Sequence, residues 1–211
     1  MTVRHHPLDE TLAAYAIASL DFGQRVAVAS HVERCEACRR FVRRFGEFGG
    51  AMLDNLQPAP MTADAMSATL ARLDDAGQVW PAPAVTNNEP GLPAVLKSRK
   101  LGPWRWVGIG VQMRAIELPR PGGSRAFLLK GNPGTQLPQH THTGSEMTAI
   151  LAGSYEHEGG QFAAGDFEDA DDSIVHRPIV GPEGCVCLVA LNGRLRLTGV
   201  VGALLNPFVR L

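Results

Sequence analysis

Apolar positions follow two different rhythms along the 211 residues. From Asp9 the run D-E-T-L-A-A-Y-A-I-A-S-L places Leu12, Tyr15, Ala16 and Ser19 at helical spacing, with Pro7 ahead and acids in the first turn. Asp21 to Phe48 carries a long helical pattern through Val26, Val28, Val32, Phe41, Val42 and Phe45. After Gly49 and Gly50 a short apolar piece, A-M-L-D-N-L, runs into Pro58 and Pro60. A further amphipathic helix follows, with Thr62 as N-cap and Met66, Thr69, Leu70 and Leu73 along one side. Such a helix either closes a small helical domain or stays available to lie in a partner's groove.

Residues 78–100 change character, with Pro81, Pro83, Pro90 and Pro93 around a polar T-N-N-E run, and read as a linker at a domain boundary. Beyond it the helical rhythm stops. Short segments such as V-Q-M-R-A-I-E-L, A-F-L-L-K, E-M-T-A-I-L, I-V-H-R-P-I-V and C-V-C-L-V-A-L are separated by Gly, Pro, Asn or Asp, the pattern of an antiparallel sandwich or barrel. The expected class is α+β in two domains: an all-α domain over 1–77, the Pro-rich linker over 78–100 and an all-β domain over 101–211.

Composition narrows the function classes. Twenty basic residues against 21 acidic ones give a net charge of -1, so no global field draws the chain to nucleic acid or an anionic membrane. Arg39, Arg40, Arg43 and Arg44 sit in a segment with an acidic balance, so they read as a solvated helix face or a contact with an acidic protein partner. Direct nucleic acid binding is not expected. No apolar run approaches the ~20 residues of a bilayer span, and M-T-V-R-H-H-P lacks the apolar core of a secretion signal. The expectation is a cytoplasmic protein with no membrane partner. Four cysteines in two close pairs then favour metal binding or packing over disulfides.

Histidines and cysteines carry the chemistry. His31, Cys35 and Cys38 stand at H-x3-C-x2-C, offsets that put all three on one face of a helix, where an imidazole and two soft thiolates can close around zinc. A tetrahedral site needs a fourth ligand, and His5 and His6 are the nearby candidates. Farther on, His140 and His142 are two apart and share a strand face, with Glu146 in phase with them and His176 on a later strand. Three imidazoles and a carboxylate suit Zn, Fe, Mn, Cu or Ni without choosing among them. His157 falls outside both groups. Cys185 and Cys187 read as core residues of a strand, about 6.6 Å apart by strand rise. Glu168, Asp169, Asp171 and Asp172 read as a solvated acidic loop.

The stretch Gly134–Gly153 matches the cupin first motif, G-x5-H-x-H-x3-E-x6-G, at every fixed position, and F-A-A-G-D-F with His176 behind it resembles a divergent second motif. The all-β domain is then expected to be a cupin, a double-stranded β-helix or jelly-roll barrel. Over essentially its full length the chain resembles the ChrR-type anti-sigma factors, through the opening R-H-H, the H-x3-C-x2-C helix, the Pro-rich connector, the cupin motif and the C-x-C strand. That resemblance implies a zinc domain that binds an extracytoplasmic-function (ECF) type sigma factor and keeps it from RNA polymerase. It also implies a cupin needed for release in response to singlet oxygen or related oxidants, and a zinc ligand at His6 over His5. The competing expectation is a cupin metalloenzyme, a dioxygenase or isomerase, with an accessory zinc domain.

Overall fold

The computed structural model describes residues 3–73, 87–119 and 123–198. Helices α1 (Asp9–Ala16), α2 (Phe22–Val32), α3 (Glu36–Asp54), α4 (Ala65–Leu73) and the short α5 (Ala94–Lys97) precede the strands. These are β1 (Arg105–Gly108), β2 (Val111–Ala115), β3 (Arg125–Gly131), β4 (His140–His142), β5 (Glu146–His157), β6 (Gly160–Ala163), β7 (Phe167–Ala170), β8 (Ile179–Leu191) and β9 (Leu195–Leu197). The larger sheet runs β1-β2-β3-β8-β5-β6, with β7 also on β5, and β4 pairs with β9 in a second sheet. All pairings are antiparallel, as the alternating segments predict.

Two corrections concern the helices. The single helix expected from Asp21 to Phe48 is two, broken at residues 33–35, where Cys35 takes an extended backbone and caps α3. Neither Gly nor Pro marks the break. Tertiary contacts fix it: Arg34, in the corner, donates through Nη1 to the Leu151 carbonyl at 2.6 Å and through Nη2 to the Gly91 carbonyl at 2.8 Å. Conversely, Gly49 and Gly50 do not end a helix, since α3 continues to Asp54 with open space beside both glycines.

The central strands β3, β5 and β8 divide their residues between two cores with period two. Leu128, Met147, Ala149, Leu151, Leu188 and Ala190 face the helices and pack with Leu12, Val26, Ala27, Val28 and Leu96. Phe127, Ile150, Val189, Leu191, Cys185 and Cys187 turn into the barrel with Tyr155, Phe162 and Val180. Helix α2 is therefore buried against the sheet, and burial of each valine or leucine there contributes about 1.5–3 kcal/mol. Of the expected linker, residues 78–86 lie outside the described ones. Between 87 and 100, Pro93 and Leu96 are fully buried, and the Ala94 amide donates to Glu33 at 2.7 Å.

Asp21 pins α2 at its start. Its carboxylate accepts from the Gln24 amide at 3.0 Å within a capping box, and also from the Ser124 amide at 2.9 Å and the Ser124 hydroxyl. Burial raises its pKa, but the Gln24 and Ser124 hydrogen bonds outweigh it, so the carboxyl lies below its ordinary value. Asp21→Ala is expected to cost about 1–2 kcal/mol at neutral pH. Because the folded-state pKa is the lower one, that difference holds above the ordinary aspartate pKa and vanishes as pH falls through the folded value. Urea titrations of both proteins from pH 7 to pH 3 measure it.

Candidate metal centres

The first cluster forms where α2 ends, α3 begins and the N-terminal segment crosses both. His31 lies in the last turn of α2, Cys35 caps α3, and Cys38 sits in its first turn. His6 completes the group: its Nδ1 is 3.4 Å from both Cys35 Sγ and Cys38 Sγ, and His31 Nε2 is 3.3 Å from Cys38 Sγ. Zinc bonds of about 2.0 Å to nitrogen and 2.3 Å to sulfur at tetrahedral angles give ligand separations of about 3.5 Å, so the spacing fits such an ion. His5 points elsewhere, with its Nε2 3.1 Å from the Gln161 carbonyl and its ring against Phe162.

Two of these groups are held uncharged by their surroundings, His31 and Cys38. Burial, helped by neighbouring His6, pushes the His31 imidazole down to about 4, while burial and the adjacent Cys35 thiol push Cys38 up to about 12. Only a cation can favour thiolate here, and a coordinating metal displaces the thiol proton outright.

The second cluster lies in the barrel. His140 and His176 form an antiparallel backbone bridge, exchanging N–H to O bonds of 3.0 and 3.1 Å, which sets their rings side by side. Their Nε2 atoms are 3.0 Å apart. The Pro138 carbonyl, 2.8 Å from His140 Nδ1, assigns the proton to that nitrogen, so His140 Nε2 offers a lone pair. His176 Nδ1 lies 3.6 Å from Glu168 and Nε2 again faces inward. Two imidazole nitrogens at this distance share either a proton or a cation. His142 is buried in the same group, its ring edge-on to both neighbours, and its Nδ1 has no hydrogen-bond partner among the described residues. Glu146 Oε2 stands 3.1 Å from His142 Nε2. Burial alone would raise the Glu146 pKa, but the facing histidines hold it low. The donor set therefore fits a divalent cation.

His140, His142 and His176 come together, His176 included despite its distance from Gly165 and Asp166, while Glu146 meets the group at its edge, against His142. The motif's closing glycine, Gly153, has φ +69°, and a Cβ there would collide with the Gly184 carbonyl where β5 crosses β8. A cavity of about 720 Å³ opens above the cluster, lined by Val111, Phe127, Leu129, Leu137, Val189 and the Cys185–Cys187 face of β8. Both cysteines are buried free thiols.

The acidic segment departs from expectation. Asp171 and Asp172 are exposed, but Glu168 is buried inside the barrel and Asp169 accepts from the Leu8 amide at 3.2 Å. Glu168 takes hydrogen bonds from Tyr155 Oη and from His157 Nε2, the latter at 2.8 Å. His157 thus belongs to the site's surroundings, a role its place in the sequence did not reveal. The visible signal was strand alternation: F-E-D-A after a Gly-Asp turn places Phe167 and Glu168 on opposite faces.

Against curated proteins, the chain is 35% identical over 216 residues to the anti-sigma-E factor ChrR of Cereibacter sphaeroides, covering all of both. The chain belongs to the ChrR family of anti-sigma factors. The ChrR cupin-like domain description matches residues 94–194. Among solved structures, ChrR in the crystal structure of Rhodobacter sphaeroides SigE in complex with the anti-sigma ChrR aligns at 30% identity and a TM-score of 0.77. The alignment covers 90% of this chain and 100% of that one. An RmlC-like cupin from Ralstonia eutropha aligns over 49% of this chain and 69% of its own at 19% identity and a TM-score of 0.42. The ChrR-family architecture, helices first and a cupin-type β-sandwich after, is the one expected from the sequence. No helix among the described residues is long and apolar enough to cross a membrane.

Proposed function

We propose that this chain is a cytoplasmic anti-sigma factor: its N-terminal helices bind an ECF-type sigma factor and withhold it from RNA polymerase, and its cupin governs release. The observation that carries the reading is the alignment, along 90% of the chain, with a ChrR chain solved in complex with SigE. Zinc is the ion assigned to His6, His31, Cys35 and Cys38. His140, His142, Glu146 and His176 hold zinc or another divalent metal (Fe, Mn, Ni or Cu) in the barrel. The working division is a sigma-binding unit over 1–77, a connector over 78–100 and the cupin over 101–211. The inducing signal is singlet oxygen or a related oxidant, and the role is regulatory, with no turnover required.

A docking face supports this reading. Phe48, Met52, Leu53 and Leu56 at the end of α3, and Met66, Leu70 and Leu73 of α4, are 53–76% exposed, more large apolar side chains than isolated solvent-facing residues account for. α4 does not close the helical core, and its apolar side is available to a partner. Co-expression with ECF-type sigma factors, co-purification and metal analysis test the assignment. Leu53→Asp and Leu70→Asp are each expected to weaken sigma binding about 30-fold or more, the scale of an interface hot spot, with metal content unchanged. Full-strength binding by both would remove this face from the interface.

A further inference from the structure

Strand β7 is in contact with both metal centres, one on each face. Phe167 is buried with its ring 5.5 Å from that of His31. Its amide donates to the His5 carbonyl at 3.1 Å. Just before it, Asp166 Oδ1 accepts the Arg4 amide at 2.7 Å and the His5 amide at 3.2 Å, and just beyond, Asp169 accepts the Leu8 amide. The segment carrying His6 is thus fastened to β7 on both sides of that residue. Glu168 points the other way, holding Tyr155 and His157 and lying 3.6 Å from His176 Nδ1. One strand step, about 3.3 Å, separates the residue packed on His31 from the residue beside His176.

We propose that Glu168 is the positioning residue for His176, and that β7 transmits the state of the barrel cluster to the His6/His31/Cys35/Cys38 cluster. The proposal gives a route for the regulation stated above and rests on that reading for its biological meaning. The physical basis is that a strand is stiff and its alternate side chains move together. A metal in the barrel fixes His176, His176 and Tyr155 fix Glu168, and Glu168 fixes the strand to which the His5–His6 segment is bonded. Carboxylates behind a ligating histidine orient the ring and raise ligand basicity.

Cobalt tests this on the free full-length chain, without a sigma factor. A thiolate-to-cobalt charge-transfer band reports the sulfur-containing cluster, and its decay under excess chelator gives the loss rate there. His140→Ala, which empties the barrel without touching β7, is expected to speed that decay at least about threefold. Glu168→Gln is expected to lower cobalt affinity in the barrel about 10-fold or more. It should also speed the decay, and adding His140→Ala to it should change nothing further. Phe167→Leu alters only the face toward His31. It should keep cobalt in the barrel while cancelling the effect of His140→Ala, and it decides the question should Glu168→Gln fail to fold. A decay rate indifferent to His140→Ala, or effects of His140→Ala and Glu168→Gln that multiply independently, overturns the proposal. Failure to bind any sigma factor would defeat the reading of function and leave these rates as they are.

Discussion

Cys35→Ala or Cys38→Ala is expected to abolish sigma binding and to lower the zinc content by one ion per chain. Four groups from three pieces of chain converge there: His6 before α1, His31 in α2, and Cys35 and Cys38 at the cap and first turn of α3. Apart from this cluster, α3 has few anchors, since Cys38 is its only buried residue and its far half is exposed. A structural zinc contributes about 10–16 kcal/mol to the folding of a small module, more than the apolar contacts of α1 and α3 supply. Without the ion, α3 loses its fixed angle to α2, and the apolar face on its outer half is no longer held in place. α2 stays on the sheet. The far-ultraviolet spectrum should therefore lose helix while the strand signal persists, and affinity for the sigma factor should fall more than about 100-fold, each 1.4 kcal/mol being a factor of ten. A variant that keeps its fold and inhibits fully would defeat the assignment.

His140→Ala and Glu146→Ala are expected to do the opposite: sigma binding survives and the response disappears. His140 turns its Nε2 lone pair into the barrel beside His176, and Glu146 supplies the negative charge that lets a divalent ion sit among buried imidazoles without a net charge of two. Either loss empties the barrel cluster, which metal analysis reads directly. The N-terminal cluster shares no ligand with it, and a severalfold faster zinc loss there is small beside the binding energy of that ion, so inhibition persists. A sigma-dependent reporter should then stay silent under an oxidant that induces the wild type. Normal induction in both variants would end the sensor role of the cupin.

The sequence was most informative where local chemistry and chain spacing coincide. H-x3-C-x2-C and H-x-H-x3-E keep their residues within a few positions of one another, but His31, Cys35 and Cys38 meet across a helix break and not on one helix face, and Glu146 stands at the edge of the barrel histidines, against His142. The helix break at residues 33–35 was hidden because nothing in the local sequence opposes a helix there, and Arg34's bonds to Leu151 and Gly91 are long-range. The acidic run containing Glu168 misled for the same reason. Charge density suggested solvent, whereas Tyr155 and His157, brought alongside by pairing between β5 and β7, supply the donors that make burial tolerable. His6 was separable from His5 only by resemblance; in the structure, the bonds of β7 to the His5 backbone orient the pair.

The close seat of α2 on the sheet bears on how relatives could exchange parts. At Gly23 the helix backbone meets the Ser124 carbonyl so closely that a Cβ would fall 2.7 Å from it, and Asp21 grips the same serine. A chimera that grafts these helices onto another family member's barrel inherits a mismatched seam unless the residues at 21, 23 and 124 travel together. Sequence drift in either half is thereby tethered to the other, and the recombination point that respects this seam lies after Ser124, not in the proline-rich stretch.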